Sequence, residues 1–323
     1  MTFTPNINLG DSAFQRGTVG RSHFEKVGTV NILSSDKQVA IIAALTEGVS
    51  IRATERLTGV HRDSVMRLGV RIGEGCAALH DRTMVNLQVG RAEIDEAWSY
   101  VGKKQRKITT ADSTDMGDQY VFLALEGAHK AILSYAVGKR DVETTDVFLS
   151  DLRRRIINRP VINSDAFPAY PEAIERAFGA NVHYGQIVKS YAGEPSKDAA
   201  RRYSPGHVVA VSTRVVSGRP GKISTSYIER QNLSLRMAQR RFTRLTNGFS
   251  KKLRNHKAAV ALYVAHYNFC RVHETLRITP AMALGVADHV WSIEELVITA
   301  TTQAPVADSR RYGRFTVIKG GRE

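Results

Sequence analysis

Three carboxylates, Asp95, Asp165 and Glu229, are the residues of this chain whose surroundings most clearly indicate chemistry. Asp95 lies within an apolar, strand-like run, Asp165 lies just past another, and Glu229 lies in the first turn of a helix-like run. Mg²⁺ prefers carboxylate oxygens together with water and substrate phosphate. Two such ions can bracket a phosphodiester, one activating the attacking oxygen and the other stabilising the leaving oxygen. The three residues therefore predict the cutting or joining of nucleic acid.

The helix that carries Glu229 also presents polar and basic side chains. Asn232, Leu233, Arg236 and Arg240 follow Glu229 by three, four, seven and eleven residues, so they share its side of a helix. Guanidinium groups in this arrangement suit phosphate oxygens. The helix thus predicts one acidic metal ligand followed by phosphate-binding arginines.

These residues also have simpler interpretations. An aspartate at a strand end is commonly a cap or turn residue, and Glu229 alone could form a helix salt bridge. Arg236 and Arg240 alone could be a solvated helix face. The spacing by itself does not choose between these interpretations and a metal site.

The first position has an alternative of its own, because Glu96 stands next to Asp95. Side chains alternate along a strand, so we expect only one of the two to face the site. Trp98 and Tyr100 share the Glu96 side of the strand, and we expect them to be core residues.

The charge balance favours a polyanionic partner. The chain has 323 residues, with 46 Lys plus Arg against 31 Asp plus Glu, for a formal net charge of +15. Nucleic acid is the commonest partner of such a basic protein. A ribosome-associated protein or a basic protein without a specific partner would have a similar balance.

Cysteine content and hydropathy restrict the class further. The two cysteines form no CxxC pair, which excludes a zinc ribbon built from this chain and gives no disulfide framework. No signal-peptide core and no membrane-length apolar run occur. These features predict a cytoplasmic protein without a membrane partner.

The spacing of apolar residues changes along the chain and predicts the helices and strands that must position the carboxylates. Helices are predicted over 36–79. Strands are predicted over 92–101, 120–125 and 131–137, a helix over 141–157, a strand over 160–163, a helix over 170–178 and a strand over 181–188. A loop insertion is expected over 189–222 and helices over 226–241 and 252–270. This order predicts an α/β protein with a mixed sheet, an antiparallel meander plus parallel strands, flanked by helices.

Three separated blocks carry a family resemblance: DEAWSYVGKK at 95–104, NSDAFPAY at 163–170 and IERQNLSLR at 228–236, with FSKK at 249–252. Together they resemble the DDE transposases of the insertion-sequence-one type, within the retroviral-integrase superfamily. The resemblance covers about 91–270 and implies an RNase H-like core. It implies metal-ligand roles for Asp95, Asp165 and Glu229 and a supporting role for Asn232 and Arg236.

The chain departs from that family in two places. It has no cysteines for the N-terminal zinc ribbon that the family often carries. The separation of Asp165 from Glu229, 229 − 165 = 64 positions, is long for the family, and the excess falls in the predicted loop insertion. In the matching blocks and beside them we expect DNA contacts from Lys103, Lys104, Asn232, Arg236, Arg240, Lys251 and Lys252.

Residues 36–76 resemble a helix-turn-helix. Gly59 stands at the turn, and Arg62, Ser64 and Arg67 would open the recognition helix, where base edges are met. A plain three-helix packing unit would show the same pattern. We predict a leader over 1–35, a helix-turn-helix DNA-binding domain over 36–80, the catalytic domain over 90–275, and C-terminal helices with a basic tail over 276–323.

The resulting hypothesis is a transposase that uses two Mg²⁺ or Mn²⁺ ions. Double-stranded DNA, as transposon ends and target, would be its partner, and joining two ends implies a homo-oligomer. The alternatives are a DNA-binding regulator derived from a transposase, and an RNase H-like nuclease that cuts without joining.

Overall fold

The computed structural model describes residues 33–191, 208–243 and 246–302. The predicted leader, apart from 33–35, and the predicted basic tail lie outside these residues, as does part of the predicted loop insertion. Within the described residues, no helix is long and apolar enough to cross a membrane.

A six-stranded mixed sheet forms the centre of the fold. Its strands are β1 (Arg91–Val101), β2 (Gly117–Glu126), β3 (Ala131–Gly138), β4 (Val161–Asp165), β5 (His183–Tyr191) and β6 (Val208–Ser217), in the order β3-β2-β1-β4-β5-β6. The first three strands are an antiparallel meander, and β4 and β5 continue it in parallel with β1. The predicted mixed α/β sheet is thereby confirmed.

Strand β6 corrects the prediction that 189–222 is a loop insertion. Val208–Ser217 pairs with β5 in antiparallel register, and β5 itself extends to Tyr191. The error has a physical reason: nearly every side chain of β6 is exposed, so the strand lacks the alternation of buried and exposed positions that reveals a strand.

Helices cover both faces of the sheet. On one face lie α4 (Val142–Arg155) and α5 (Tyr170–Phe178), with Phe148 of α4 packed on Phe122 of β2 at a ring separation of 5.7 Å. On the other face lie α6 (Ser226–Ala238) and α7 (Leu253–Ala265), where His256 Nε2 meets Ser99 Oγ at 2.9 Å. The shorter helices α8 (Pro280–Ala283) and α9 (Ile293–Thr302) follow.

The N-terminal helices are α1 (Ser35–Thr46), α2 (Ile51–Thr58) and α3 (Arg62–Thr83). Helix α3 is longer than the predicted 62–76 and packs along α7 and α9. Two glycines permit this close packing, because a Cβ on Gly73 would stand 2.2 Å from the Ala258 carbonyl oxygen and one on Gly75 would stand 2.0 Å from that of Ala300.

Candidate active site

Sheet topology brings Asp95 and Asp165 side by side. Strands β1 and β4 are parallel neighbours, and their last registered pair is Ile94 with Ser164. Asp95 and Asp165 are the next residue on each strand, so both lie at the point where β4 ends. Ligand sites of open α/β sheets lie at such carboxyl ends.

Asp95 is held by a neutral donor. Asn232 Nδ2 of α6 donates to Asp95 Oδ2 at 2.8 Å. Burial and the neighbouring carboxylates of Glu96 and Asp165 raise the pKa of Asp95 to about 7. Asn232 has a second polar atom, Oδ1, which is buried and has no hydrogen-bond partner among the described residues.

Asp165 has one oxygen committed to its own loop, because Oδ1 accepts from the Phe167 N–H at 3.0 Å. The other, Oδ2, lies 3.8 Å from Arg140 Nη2. Burial raises the pKa of Asp165, against the lowering effects of the Phe167 N–H and Arg140. Arg140, in the loop between β3 and α4, was not identified from the sequence.

Glu96 also reaches the site. Its carboxylate accepts from Arg140 Nε and from the Tyr170 hydroxyl, the latter at 2.7 Å. Among the described residues, Asp95, Glu96 and Asp165 each offer an oxygen that lies within 4.8 Å of the others. The expectation that only one of Asp95 and Glu96 can face the site is therefore wrong. Strand β4 stops at Asp165 while β1 continues, so the longer Glu96 side chain can approach Asp165 past the end of β4.

Glu229 approaches from the face of the sheet that α6 covers, the face opposite Glu96 and Tyr170. Its Oε1 accepts from Lys189 Nζ of β5 at 2.6 Å and from Thr225 Oγ1 at 2.6 Å. Burial raises the pKa of Glu229, but these two hydrogen bonds and the Lys189 charge outweigh it and lower the pKa. Glu229 lies outside the group of three close oxygens, although its charge acts on Asp165.

Glu93 explains how the Glu229 helix is positioned. The Glu93 side chain is 1% exposed, and its Oε2 accepts from the backbone N–H groups of Tyr227 at 2.9 Å and Ile228 at 3.0 Å. Thr225, the residue at the N-cap of α6, makes no side-chain cap of its own. A residue of β1 therefore caps α6 and fixes Glu229 relative to Asp95. Sequence reasoning missed Glu93, although its place two residues before Asp95 puts it on the same side of β1.

The predicted basic contacts fall into separate groups. Arg236 lies on α6 on the Glu229 side, whereas Arg240 does not, because α6 ends at Ala238 and Arg240 begins a short 3₁₀ turn. This corrects the predicted helix over 226–241. Lys103 is paired with Asp112 at 2.6 Å.

Two pairs of predicted basic residues lie in adjoining loops. Lys103 and Lys104 follow β1, and Lys251 and Lys252 precede α7. The two loops are joined where Gly102 N–H donates to the Ser250 carbonyl at 2.9 Å. They form one basic region at the carboxyl end of β1, away from Asp95.

The residues of the predicted recognition helix stand at the start of α3. Arg62 and Arg67 are exposed and Ser64 is half-buried. Arg67 Nη2 donates to Ser64 Oγ at 3.2 Å, and Glu55 of α2 accepts from the Arg62 N–H at 2.9 Å. Gly59 ends α2 in the left-handed conformation, at φ 67°.

Comparison with known proteins leaves the family open. No known family matches the chain, and no curated protein matches it. Among solved structures it is similar to a piggyBac transposase synaptic complex with hairpin DNA, at 9% sequence identity and a TM-score of 0.35, over 83% of this chain and 69% of that one. A similarity at this TM-score does not establish a shared fold.

Proposed function

We propose that this protein is a DDE-type transposase, similar to those of insertion-sequence-one elements. The observation that carries the proposal is the pairing of Asp95, in the middle of β1, with Asp165 at the carboxyl end of the adjacent parallel strand β4, with Glu229 on a helix capped from the same strand as Asp95. The antiparallel meander followed by parallel strands supports the RNase H-like core that the sequence resemblance implies.

The donor set fits divalent metal ions. Asp95, Glu96 and Asp165 offer three carboxylate oxygens within 4.8 Å of one another, and hard oxygen ligands are those that Mg²⁺ and Mn²⁺ take. The unpartnered Oδ1 of Asn232 beside Asp95 is a further oxygen acceptor. Glu229 already holds one cation at its Oε1, the Lys189 ammonium.

We assign the metal-ligand roles to Asp95, Asp165 and Glu229. Two bound Mg²⁺ or Mn²⁺ ions would activate the attacking oxygen and stabilise the leaving oxygen of a phosphodiester. Asn232 orients the Asp95 carboxylate by donating to Oδ2, and Glu93 holds the helix that carries Glu229. Arg236, two helical turns after Glu229, is suited to a DNA phosphate.

The reaction comprises two phosphoryl transfers. Water attacks the phosphorus of the phosphodiester at the transposon end. The bond between phosphorus and the 3′ oxygen breaks, which leaves a 3′-hydroxyl on the transposon end. That hydroxyl then attacks a target phosphodiester, forming one phosphorus–oxygen bond as another breaks. No covalent intermediate between protein and DNA is needed.

End recognition is assigned to the N-terminal helices. Arg62, Ser64 and Arg67 open α3, a position that suits base contacts if α2 and α3 act as a helix-turn-helix. The predicted contacts from Lys103, Lys104, Lys251 and Lys252 would hold the phosphate backbone. Joining two transposon ends implies at least two copies of the chain. A cytoplasmic location belongs to the same proposal.

The test is strand transfer on labelled DNA that carries the inverted repeats flanking the gene, with Mg²⁺ or Mn²⁺. Asp95→Asn, Asp165→Asn and Glu229→Gln should each abolish cleavage and joining while leaving DNA binding intact. Asp146→Asn is the matched control, because Asp146 of α4 forms an exposed ion pair with Arg176 of α5 and is not among the site carboxylates. Full activity in Asp95→Asn or Glu229→Gln would refute the assignment.

The same assay separates the alternatives. Cleavage without joined products would identify a nuclease. Specific binding to the repeats without metal-dependent nicking would identify a DNA-binding regulator.

A further inference from the structure

One face of the sheet carries a row of aromatic side chains that the reaction proposed above does not use. It consists of Trp98 and Tyr100 of β1, Tyr120 of β2 and Phe249 before α7, and we refer to these four residues as the aromatic surface. Trp98 stands directly across from Tyr120 in the β1–β2 register, so their side chains share one face. The ring centroids of Trp98 and Tyr100 are 5.8 Å apart, and those of Tyr100 and Phe249 are 4.6 Å apart.

The aromatic surface begins where the helices that cover this face stop. Ile94 and Phe122 are fully buried, Phe122 against Phe148 of α4. One register step further, Trp98 and Tyr120 are only half-buried, as are Tyr100 and Phe249. The prediction that Trp98 and Tyr100 belong to the core is therefore wrong. Three of these rings stand on β1 and β2 and the fourth, Phe249, stands in the loop before α7, and all four remain partly exposed to water.

Cations border the aromatic surface at both ends. Lys251 Nζ lies 3.5 Å from the centroid of the Phe249 ring, and the Arg140 guanidinium lies 5.9 Å from that of Tyr120. The joined loops after β1 and before α7 add lysines and arginines, among them Lys104 and Lys252. This arrangement of rings among positive charges is complementary to bases linked by phosphates.

We propose that the aromatic surface binds unpaired nucleotides of a single DNA strand, with bases stacked on the rings and phosphates on the bordering cations. Duplex DNA hides the faces of its bases, whereas unpaired bases expose them to aromatic side chains. Glu96 lies two residues before Trp98 on the same face, about 7 Å away along the strand. Binding of a single strand goes beyond the proposed function and stands without it. Only one consequence rests on the proposed function: a strand bound on this surface would lead toward the candidate site at Glu96.

The two tryptophans of the chain, Trp98 and Trp291, allow a direct test. In Trp291→Phe, Trp98 is the one remaining tryptophan, and its fluorescence reports contact with a base. The full-length variant is titrated in EDTA with three probes of about 12 nucleotides: an oligo(dT) strand, an abasic strand and a duplex. We expect oligo(dT) to quench Trp98, and the abasic strand and the duplex to quench it far less.

Affinity measurements provide the second readout. Trp98→Leu and Phe249→Leu should each weaken oligo(dT) binding at least about fivefold and leave abasic-strand binding unchanged. The matched control is Trp291→Leu, since Trp291 is also half-buried and packs on Phe269 at 4.7 Å, away from this face. Thermal unfolding of each variant checks that it is folded.

The inference would be overturned by no oligo(dT) binding to the wild-type chain, by no change in Trp98 fluorescence on binding, or by equal affinity in Trp98→Leu and Trp291→Leu. Equal quenching by duplex and single strand would also overturn it. Because metal is absent throughout, failure of DNA cleavage in the assay of the proposed function leaves this test unaffected.

Discussion

Replacing Glu93 should impair the candidate site from a position that touches no substrate. Glu93→Ala removes the acceptor of the Tyr227 and Ile228 N–H groups and leaves the buried Ile228 N–H without a partner. It also frees the first turn of α6, two residues before Glu229.

The magnitude follows from the two hydrogen bonds. A hydrogen bond to a charged group contributes about 1.5–3 kcal/mol, and loss of a helix cap costs about 0.5–2 kcal/mol. Burial raises the pKa of Glu93, because a charged carboxylate is costly to bury. This cost offsets part of the stabilisation that the two hydrogen bonds provide. We therefore expect Glu93→Ala to lower the free energy of unfolding by about 2–4 kcal/mol. Glu93→Gln keeps an acceptor oxygen and should lose about 1 kcal/mol or less.

Urea unfolding and DNA cleavage, measured on the same samples, test this reasoning. Glu93→Ala should lose most of its cleavage at temperatures where it is still folded, while Glu93→Gln keeps most of it. Thr279→Ala is the control, because Thr279 caps α8 through Met282 N–H at 3.3 Å and stands away from the carboxylates. It should lose about 1 kcal/mol of stability and no cleavage. Wild-type stability and cleavage in Glu93→Ala would refute the role of Glu93 as the cap of α6.

Two further predictions concern stability. The pKa of Asp95 is raised from 3.8 to about 7 in the folded chain, so its contribution to stability is fully present below about pH 4 and is lost as the pH rises through 7. Without metal, Asp95→Asn should gain stability relative to the wild-type chain as the pH rises from 5 to 8, by at most about 3 kcal/mol; melting curves that keep a constant difference would contradict this. In urea unfolding, Gly73→Ala should lower the free energy of unfolding by about 1–3 kcal/mol, because its Cβ meets the Ala258 backbone. Gly69→Ala is the control: its Cβ meets only the flexible Leu45 side chain, at 3.1 Å, so this variant should not be destabilised.

Local pattern was sufficient for most of the fold. The α5 boundaries, Tyr170–Phe178, coincide with the prediction because a buried stripe is bounded by a proline near its start and Gly179 after its end. Strands β1 to β4 were recognisable because buried residues in them are apolar and bounded by turns. Strand β6 was not, since its valines are exposed along its whole length.

The candidate site could be predicted only in part, because its contacts join segments far apart in the chain. From the sequence, Asp95 could be placed within one strand and Asp165 just past the end of another. Glu93, Arg140 and Lys189 could not, because each acquires its partner only when the sheet order and the α6 position are known. Glu96 was excluded by the alternation rule, which holds inside a sheet but not where the neighbouring strand ends.

The hydrogen-bond and ion-pair partners of the site carboxylates indicate where a bound cation would be stabilised most. Glu96 is neutralised by Arg140 and Glu229 by Lys189, and Arg140 also stands 3.8 Å from Asp165. Asp95 differs, because its donor is the uncharged amide of Asn232. This difference, together with burial beside two carboxylates, accounts for a pKa near 7. A divalent ion would therefore gain most beside Asp95, the carboxylate of this cluster whose charge the protein's own basic groups leave least compensated.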